Sequence, residues 1–371
     1  MTGNHRANGR PAVTFVVMAG GRGERLWPLV RTAVPKACLS PDGTQTLLET
    51  TIARLREAWP QAGWLIVTTS EQARAVRTHL PAALRCRVIV EPAVKNTAAC
   101  ITLAAAVLAC RDPRQVMVVA PADHWVGDVP AFHRAIRAAI TASRRLNTIA
   151  TIGIRPQTPQ TGLGYVCAGA RVAGPWPARV FRLARFVEKP PRRLAGRLIA
   201  RPTTYWNSGL FIGSAERFLE CVTEWLPDHA QRLIPTVTGW LTRHPRAAFA
   251  GTFPARLRSR YEALPATSFD HGVMTHLTGG LIVEGRFAWA DLGSWDTWAQ
   301  VGQAAARTIG VESENVTIVG QPTHLIATVG VRNLLVVQTP TATLICRPDK
   351  SQAVREVVRR VSADPRLAAY R

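Results

Sequence analysis

The sequence predicts an α/β fold: a doubly wound, mostly parallel sheet, followed by a small β-rich C-terminal domain. Two observations carry this. From Val13 to His124 apolar runs of strand length alternate with stretches of helical period, and after about Ala304 short β-rich pieces take over. Continuous apolar strands separated by helices belong to a sheet covered on both faces.

Taken in order, Val13 to Met18 reads as a buried strand, and Leu48, Ile52, Leu55 and Trp59 fall at helical spacing behind it. A strand over 64–69, a helix through the seventies, a strand over 86–92, an apolar helix from about Thr97 to Cys110 and a strand over 115–124 follow. Beyond Ala304 the pieces at 316–319, 325–331, 334–339 and 343–347 recur at a spacing of about 9 to 10 residues, and Val354, Val357, Val358 and Val361 mark a final amphipathic helix. With 371 residues, 47% of them hydrophobic, the chain has material for two domains, expected at 1–303 and 304–371.

Composition excludes several classes. The net charge of +22 invites nucleic acid, but the arginines are dispersed and neither a zinc finger nor an aromatic-rich RNA motif occurs, so a solvated arginine surface is expected and no nucleic-acid partner. No signal-type h-region or run of about 18 apolar residues is found, which predicts a cytoplasmic protein without a membrane partner. Seven scattered cysteines form no C-x-x-C pair, and nine histidines form no H-E-x-x-H cluster, which disfavours zinc and leaves a hard, oxygen-bound metal open. Only four of the 46 basic residues are lysine (Lys36, Lys95, Lys189, Lys350), so these are candidates for contacts that a planar guanidinium cannot make.

The first strand runs into VVMAGGRGERLWPLVRTAVPK (16–36). Gly20, Gly21 and Gly23 would let backbone amides approach phosphate oxygens beyond the strand's carboxyl end, with Arg22 and Arg25 adding charge. The stretch is neither a Walker loop nor a dinucleotide fingerprint, and by itself it could also be a glycine turn bearing surface arginines.

AGGRGERLWPL with PK (19–29, 35–36) resembles the signature of sugar-1-phosphate nucleotidylyltransferases, and its Trp-Pro pair that of the mannose-1-phosphate guanylyltransferase branch. EPAVKNTAA (91–99), PADH (121–124), TGLGYV (161–166), FVEKP (186–190), WNSGLF (206–211), SFDHGVM (268–274) and WADLGSWDTW (289–298) are similar to further motifs of that branch, in order. The resemblance continues weakly through 325–354. It implies a Rossmann-like nucleotidyltransferase domain and a C-terminal short left-handed β-helix that packs against it and can support a homodimer.

The implied reaction is attack of a phosphate oxygen of mannose 1-phosphate on the α-phosphorus of GTP, giving GDP-mannose and pyrophosphate with Mg²⁺. Such a transfer asks for positioning and charge neutralisation rather than a covalent nucleophile. By the resemblance Arg25, Lys36, Asp123, Lys189 and Asp291 are catalytic. Ala19, Gly20, Gly21, Gly23, Arg25, Asn96, Thr97 and Asp123 bind the nucleotide, and Gly164, Glu188, Lys189 and Asn207 the sugar phosphate. Asp123 and Asp291, 168 residues apart, would hold the metal, as Mg²⁺ takes one or two carboxylates with phosphate oxygens and water. From the residues alone Asp291 could instead cap a helix starting near Ser294, Asp123 could be a turn aspartate, and Glu188 with Lys189 an exposed ion pair. Lys95, Ala99, Cys100 and Thr275 depart from the branch's pattern and leave other sugar 1-phosphates open as acceptors. A non-catalytic nucleotide-sugar-binding regulator is the reading from outside the enzyme class.

Overall fold

The computed structural model describes residues 13–21, 23–31, 34–41, 43–81, 87–244, 253–295, 297–298, 307–321 and 323–371. β1 (Val13–Met18), β2 (Gly63–Thr69), β3 (Arg87–Glu91) and β4 (Val116–Pro121) run parallel in the order β3-β2-β1-β4. They are joined through α1 (Leu47–Ala58), α2 (Ala73–Thr78) and α3 (Asn96–Ala109), so the expected elements of this half are present with small shifts at their ends. α1 opens on a capping box, in which the Thr46 hydroxyl accepts the Glu49 amide at 3.2 Å and the Glu49 carboxylate accepts the Thr46 amide at 2.8 Å. Such caps contribute about 1 kcal/mol.

Successive side chains of β1 enter opposite cores. Val16 joins Leu65, Val67 and the largely apolar α3, whereas Phe15 and Val17 join Leu48, Ile52 and Leu55 of α1. A helix that is apolar on all faces after its first turn, save for Thr102, has to be buried, and α3 lies between the sheet and the pair α6 (Ala215–Trp225) and α7 (Pro227–Arg243). α4 (Val129–Leu146), capped by Asp128, covers the other face together with α5 (Arg192–Ile199), and α8 (Ala255–Glu262) packs on α7.

The expectation of a mostly parallel sheet needs correction. β6 (Ala150–Ile154), β7 (Tyr165–Arg171), β8 (Val180–Val187), β9 (Thr204–Ser214) and β10 (Leu281–Gly285) complete the order β3-β2-β1-β4-β9-β6-β10-β8-β7. β9 runs antiparallel to β4, β6 and β7, and β8 antiparallel to β10 and β7, so the sheet is mixed. β7 and β8 follow one another without an intervening helix, and such hairpin connections reverse the chain. β5 (His124–Val126) pairs antiparallel with β11 (Trp289–Asp291) outside the main sheet.

The C-terminal unit is β-rich, as expected. β12 (Arg307–Val311) pairs parallel with β14 (Leu325–Val329), and β13 (Glu314–Val319) with β15 (Arg332–Gln338), while β16 (Thr343–Cys346) runs antiparallel to β15. Arg307 faces Leu325 and Glu314 faces Arg332, the same 18-residue offset in both ladders. Among the described residues this stacking occurs once and does not extend into a solenoid. α9 (Val354–Ala363) carries the expected valines, with Val354 and Val361 buried. The unit shares a core with the segment after β1: Leu26, Trp27 and Val30 pack with Trp295, Leu335, Val337, Leu344, Val354 and Val361. The expected boundary at 303/304 lies outside the described residues. No helix among them is long and apolar enough to cross a membrane.

Candidate active site

The glycine segment leaves β1 at the carboxyl edge of the parallel strands. The Ala19 amide donates to the Val67 carbonyl at 2.8 Å, the Thr68 hydroxyl donates to the Ala19 carbonyl at 3.0 Å, and the Gln72 amide nitrogen donates to the Gly21 carbonyl at 3.2 Å. Gly20 lies against Glu91, a buried carboxyl hydrogen-bonded by Tyr261 and pushed by burial up to about 7. Gly23 has a φ of 61°, and a Cβ there would stand 2.8 Å from the Lys36 Cβ. Left-handed backbone costs an L side chain about 1–2 kcal/mol, and a clash displaces its neighbour. Gly23→Ala is therefore expected to lower the melting temperature and, by shifting Lys36, to cut turnover by on the order of 10–100-fold. Melts and steady-state kinetics check this, and unchanged turnover would separate Lys36 from the loop. Arg22 lies outside the described residues.

Lys36 sits in a short 3-10 helix (Lys36–Cys38) with its side chain 7% exposed, and its ammonium pairs with both Asp123 and Asp291, the latter at 3.3 Å. Asp123 follows β4, and Asp291 ends β11, where it faces His124 across the ladder. The antiparallel pairing of β5 with β11 thus closes the 168-residue gap between the two carboxylates. Asp291 lies in a strand, and the Ser294 carbonyl heads the turn that follows by accepting the Trp298 amide. Burial pushes the Asp291 carboxyl up, but Lys36, His124 and Arg25 outweigh it and hold it at about 2. Burial likewise works against the Lys36 charge, and the two carboxylates overcome it and raise the ammonium. Ligand atoms of Asp123, His124 and Asp291 all lie within 4.8 Å of one another, around a point where a cationic ammonium is already accepted. This donor set fits a divalent cation. Arg25 donates to the Gln352 side-chain oxygen at 3.3 Å, so the C-terminal unit touches a candidate catalytic side chain.

The sugar-side residues assemble separately. The Asn207 amide donates to the Gly164 carbonyl at 2.8 Å, and a Cβ on Gly164 would stand 2.9 Å from Glu188 Oε2, which only glycine permits without displacing that carboxylate. Lys189, with a φ of 42° and its side chain 61% exposed, pairs with Glu188 at 2.8 Å. The Asn207 side chain accepts from Thr151 and donates to Asp270 Oδ1 at 2.7 Å. Gly209 of the same strand adjoins the carboxylate cluster: a Cβ there would lie 3.6 Å from His124 Cε1.

Asn96 and Thr97 start α3. The Asn96 side chain accepts the Thr97 amide at 2.8 Å, and the Thr97 hydroxyl accepts the Phe269 amide at 2.8 Å, tying α3 to the 268–274 segment. Sequence reasoning named neither His124, Asp270, Glu91 nor Gln352 as a site residue. The first three lay inside quoted motifs, which was the available signal; Gln352 had none.

A glycine segment at a sheet edge, a lysine held between two carboxylates, and an adjoining Asn207–Asp270 pair suit an enzyme that handles phosphorylated substrates with a divalent cation. Residues 14–308 match the nucleotidyl transferase family, and residues 306–361 the MannoseP isomerase/GMP-like beta-helix domain. The mannose-1-phosphate guanylyltransferase of Escherichia coli K12 is 34% identical over 363 residues, 95% of this chain and 74% of that protein. The xanthan biosynthesis protein XanB of Xanthomonas campestris is 32% identical over 369 residues, 95% of this chain and 74% of its own. A crystal structure from Thermus thermophilus, described as a mannose-1-phosphate geranyltransferase, superposes with a TM-score of 0.77 at 30% identity, covering 94% of this chain and 99% of that one. The chain belongs to the nucleotidyl transferase family, in its mannose-1-phosphate guanylyltransferase branch.

Proposed function

We propose that the chain transfers GMP from GTP to mannose 1-phosphate, forming GDP-mannose and pyrophosphate. The observation that carries this is the Lys36–Asp123–Asp291 cluster, assembled beside the glycine segment and next to the strand bearing Asn207. Gly20, Gly21 and Gly23 hold the triphosphate through backbone amides, and Arg25 and Lys36 offset its charge. Asn96 and Thr97 lie on the base or ribose side. Lys189 neutralises and aims the sugar phosphate, whose oxygen forms the new bond to the α-phosphorus as the bond to the pyrophosphate oxygen breaks. Glu188, Asn207 and the Gly164 backbone orient the ring. No acyl or phosphoryl enzyme is required, because positioning and electrostatic stabilisation carry such a transfer. Mg²⁺, bound by Asp123 and Asp291, would supply charge neutralisation at the phosphates.

The assembled cluster favours catalysis over a non-catalytic regulator. The remaining parts of the proposal are a cytoplasmic location, where GTP is available, a catalytic domain over 1–303 with a second domain over 304–371, and a homodimer. The exposed Ile309, Val311, Leu325 and Val329 on the β12–β14 ladder support self-association, and the shared 18-residue offset supports a single coil of a left-handed β-helix.

A pyrophosphate-release screen of four nucleoside triphosphates against a panel of sugar 1-phosphates with Mg²⁺ tests the function. GTP with mannose 1-phosphate is the expected productive pair. Turnover with UTP or dTTP alone would reject the base assignment, and no turnover beside tight GDP-mannose binding would restore the regulator.

A further inference from the structure

Asp270 belongs to a short π-helical segment (Asp270–Met274) that packs against α6. Its carboxylate lies against Asn207, whose backbone amide pairs with Gly164 beside Glu188. One oxygen, Oδ1, is taken by the Asn207 amide at 2.7 Å, and Asn207 is held in turn by the Thr151 hydroxyl at 2.8 Å. A carboxylate offers further lone pairs beyond this one bond. Burial, and then the Glu188 charge, push the Asp270 carboxyl up to about 6, with its own backbone amide, Lys189 and Asn207 acting the other way.

Bracing Asn207 does not explain this arrangement. Any neutral acceptor would hold that amide, whereas a second carboxylate beside Glu188 is electrostatically unfavourable. Groups held against their own electrostatics concentrate at functional sites. Two carboxylates, each with lone pairs beyond the bonds already made, beside an amide oriented from behind, suit a ligand that brings several hydroxyl donors on neighbouring carbons.

We propose that Asp270 is a specificity-determining residue for the sugar, accepting hydrogen bonds from a ring hydroxyl of the hexose next to the one held by Glu188. This rests on the sugar-phosphate reading of the pocket. The discrimination it exerts is against rings that lack, or misplace, that hydroxyl.

Calorimetric binding of GDP and of GDP-mannose to the full chain, with Mg²⁺, separates the alternatives. In the parent, GDP-mannose is expected to bind more tightly than GDP. Asp270→Asn keeps the acceptor for Asn207 and removes the charge, and is expected to weaken GDP-mannose by about 10- to 100-fold, the worth of a charged hydrogen bond, with GDP within about twofold. Asp270→Ala should lose as much or more, and melting curves identify any unfolded fraction. With 2-, 3- and 4-deoxymannose 1-phosphates as substrates, the position that Asp270 reads is the one whose removal costs the parent KM but adds nothing to the Asp270→Asn loss. GDP-mannose binding by both variants within about twofold of the parent, or equal losses for GDP and GDP-mannose, would overturn the proposal while leaving the guanylyltransferase reading intact. A parent that binds GDP and GDP-mannose alike would instead overturn the sugar pocket itself, and the role of Asp270 with it.

Discussion

Asp291→Asn is expected to lower turnover with GTP and mannose 1-phosphate by at least about 100-fold while the chain stays folded, and to raise the Mg²⁺ concentration needed for the residual activity. The substitution is nearly isosteric. The amide oxygen can still accept from Lys36, so the β5–β11 ladder and the packing of Trp295 should survive. What disappears is one of the two carboxylates proposed to hold the metal, in a cluster whose candidate ligand atoms lie within 4.8 Å. Asparagine caps a helix as well as aspartate does. A variant with parental turnover and Mg²⁺ dependence would therefore reduce Asp291 to a local structural role, and metal titrations beside the kinetics decide between the two.

Lys36→Met is expected to abolish most turnover and to make thermal stability depend on divalent cations. In the parent one ammonium, 7% exposed, neutralises Asp123 and Asp291 together. Removing one partner of a buried ion pair typically costs about 3–5 kcal/mol, and the low end applies because the two carboxylates keep 24% and 30% of their side-chain exposure. The same two carboxylates, without the ammonium, form a more negative site. Mg²⁺ or Mn²⁺ should then raise the melting temperature of the variant by more than that of the parent, since a ligand that binds only the folded state stabilises it. Melts of the variant that ignore both cations would show that the carboxylates do not hold a metal.

The glycine segment and the alternation of strands and helices up to β4 were legible because they depend on short-range pattern. A strand buried on both faces must be apolar throughout, and a chain approaching phosphate closely must lack side chains. Lys36 stood out through the scarcity of lysine. Other parts were invisible for physical reasons. β9 is buried along nearly its whole length as a parallel strand would be, and β8 is half exposed, but neither pattern states which way the strand runs, so the mixed sheet could not be separated from a parallel one. His124 reads as a lone histidine until β11 pairs with β5. Gln352 is an ordinary polar residue until the C-terminal unit packs on Trp27 and Leu26 and brings it to Arg25.

By itself the sequence determined the α/β class, the β-rich character of the last segment and the family resemblance, since each rests on residue type and spacing within short motifs, and it is through the resemblance that the candidate residues were named. Tertiary structure alone decided how those residues meet. It put one lysine between two carboxylates 168 residues apart, set Asp270 beside Glu188, and joined the C-terminal unit to the glycine segment through a shared core. Such contacts form only when distant segments pack, and the apolar surface that drives the packing carries no record of which polar groups it will bring together.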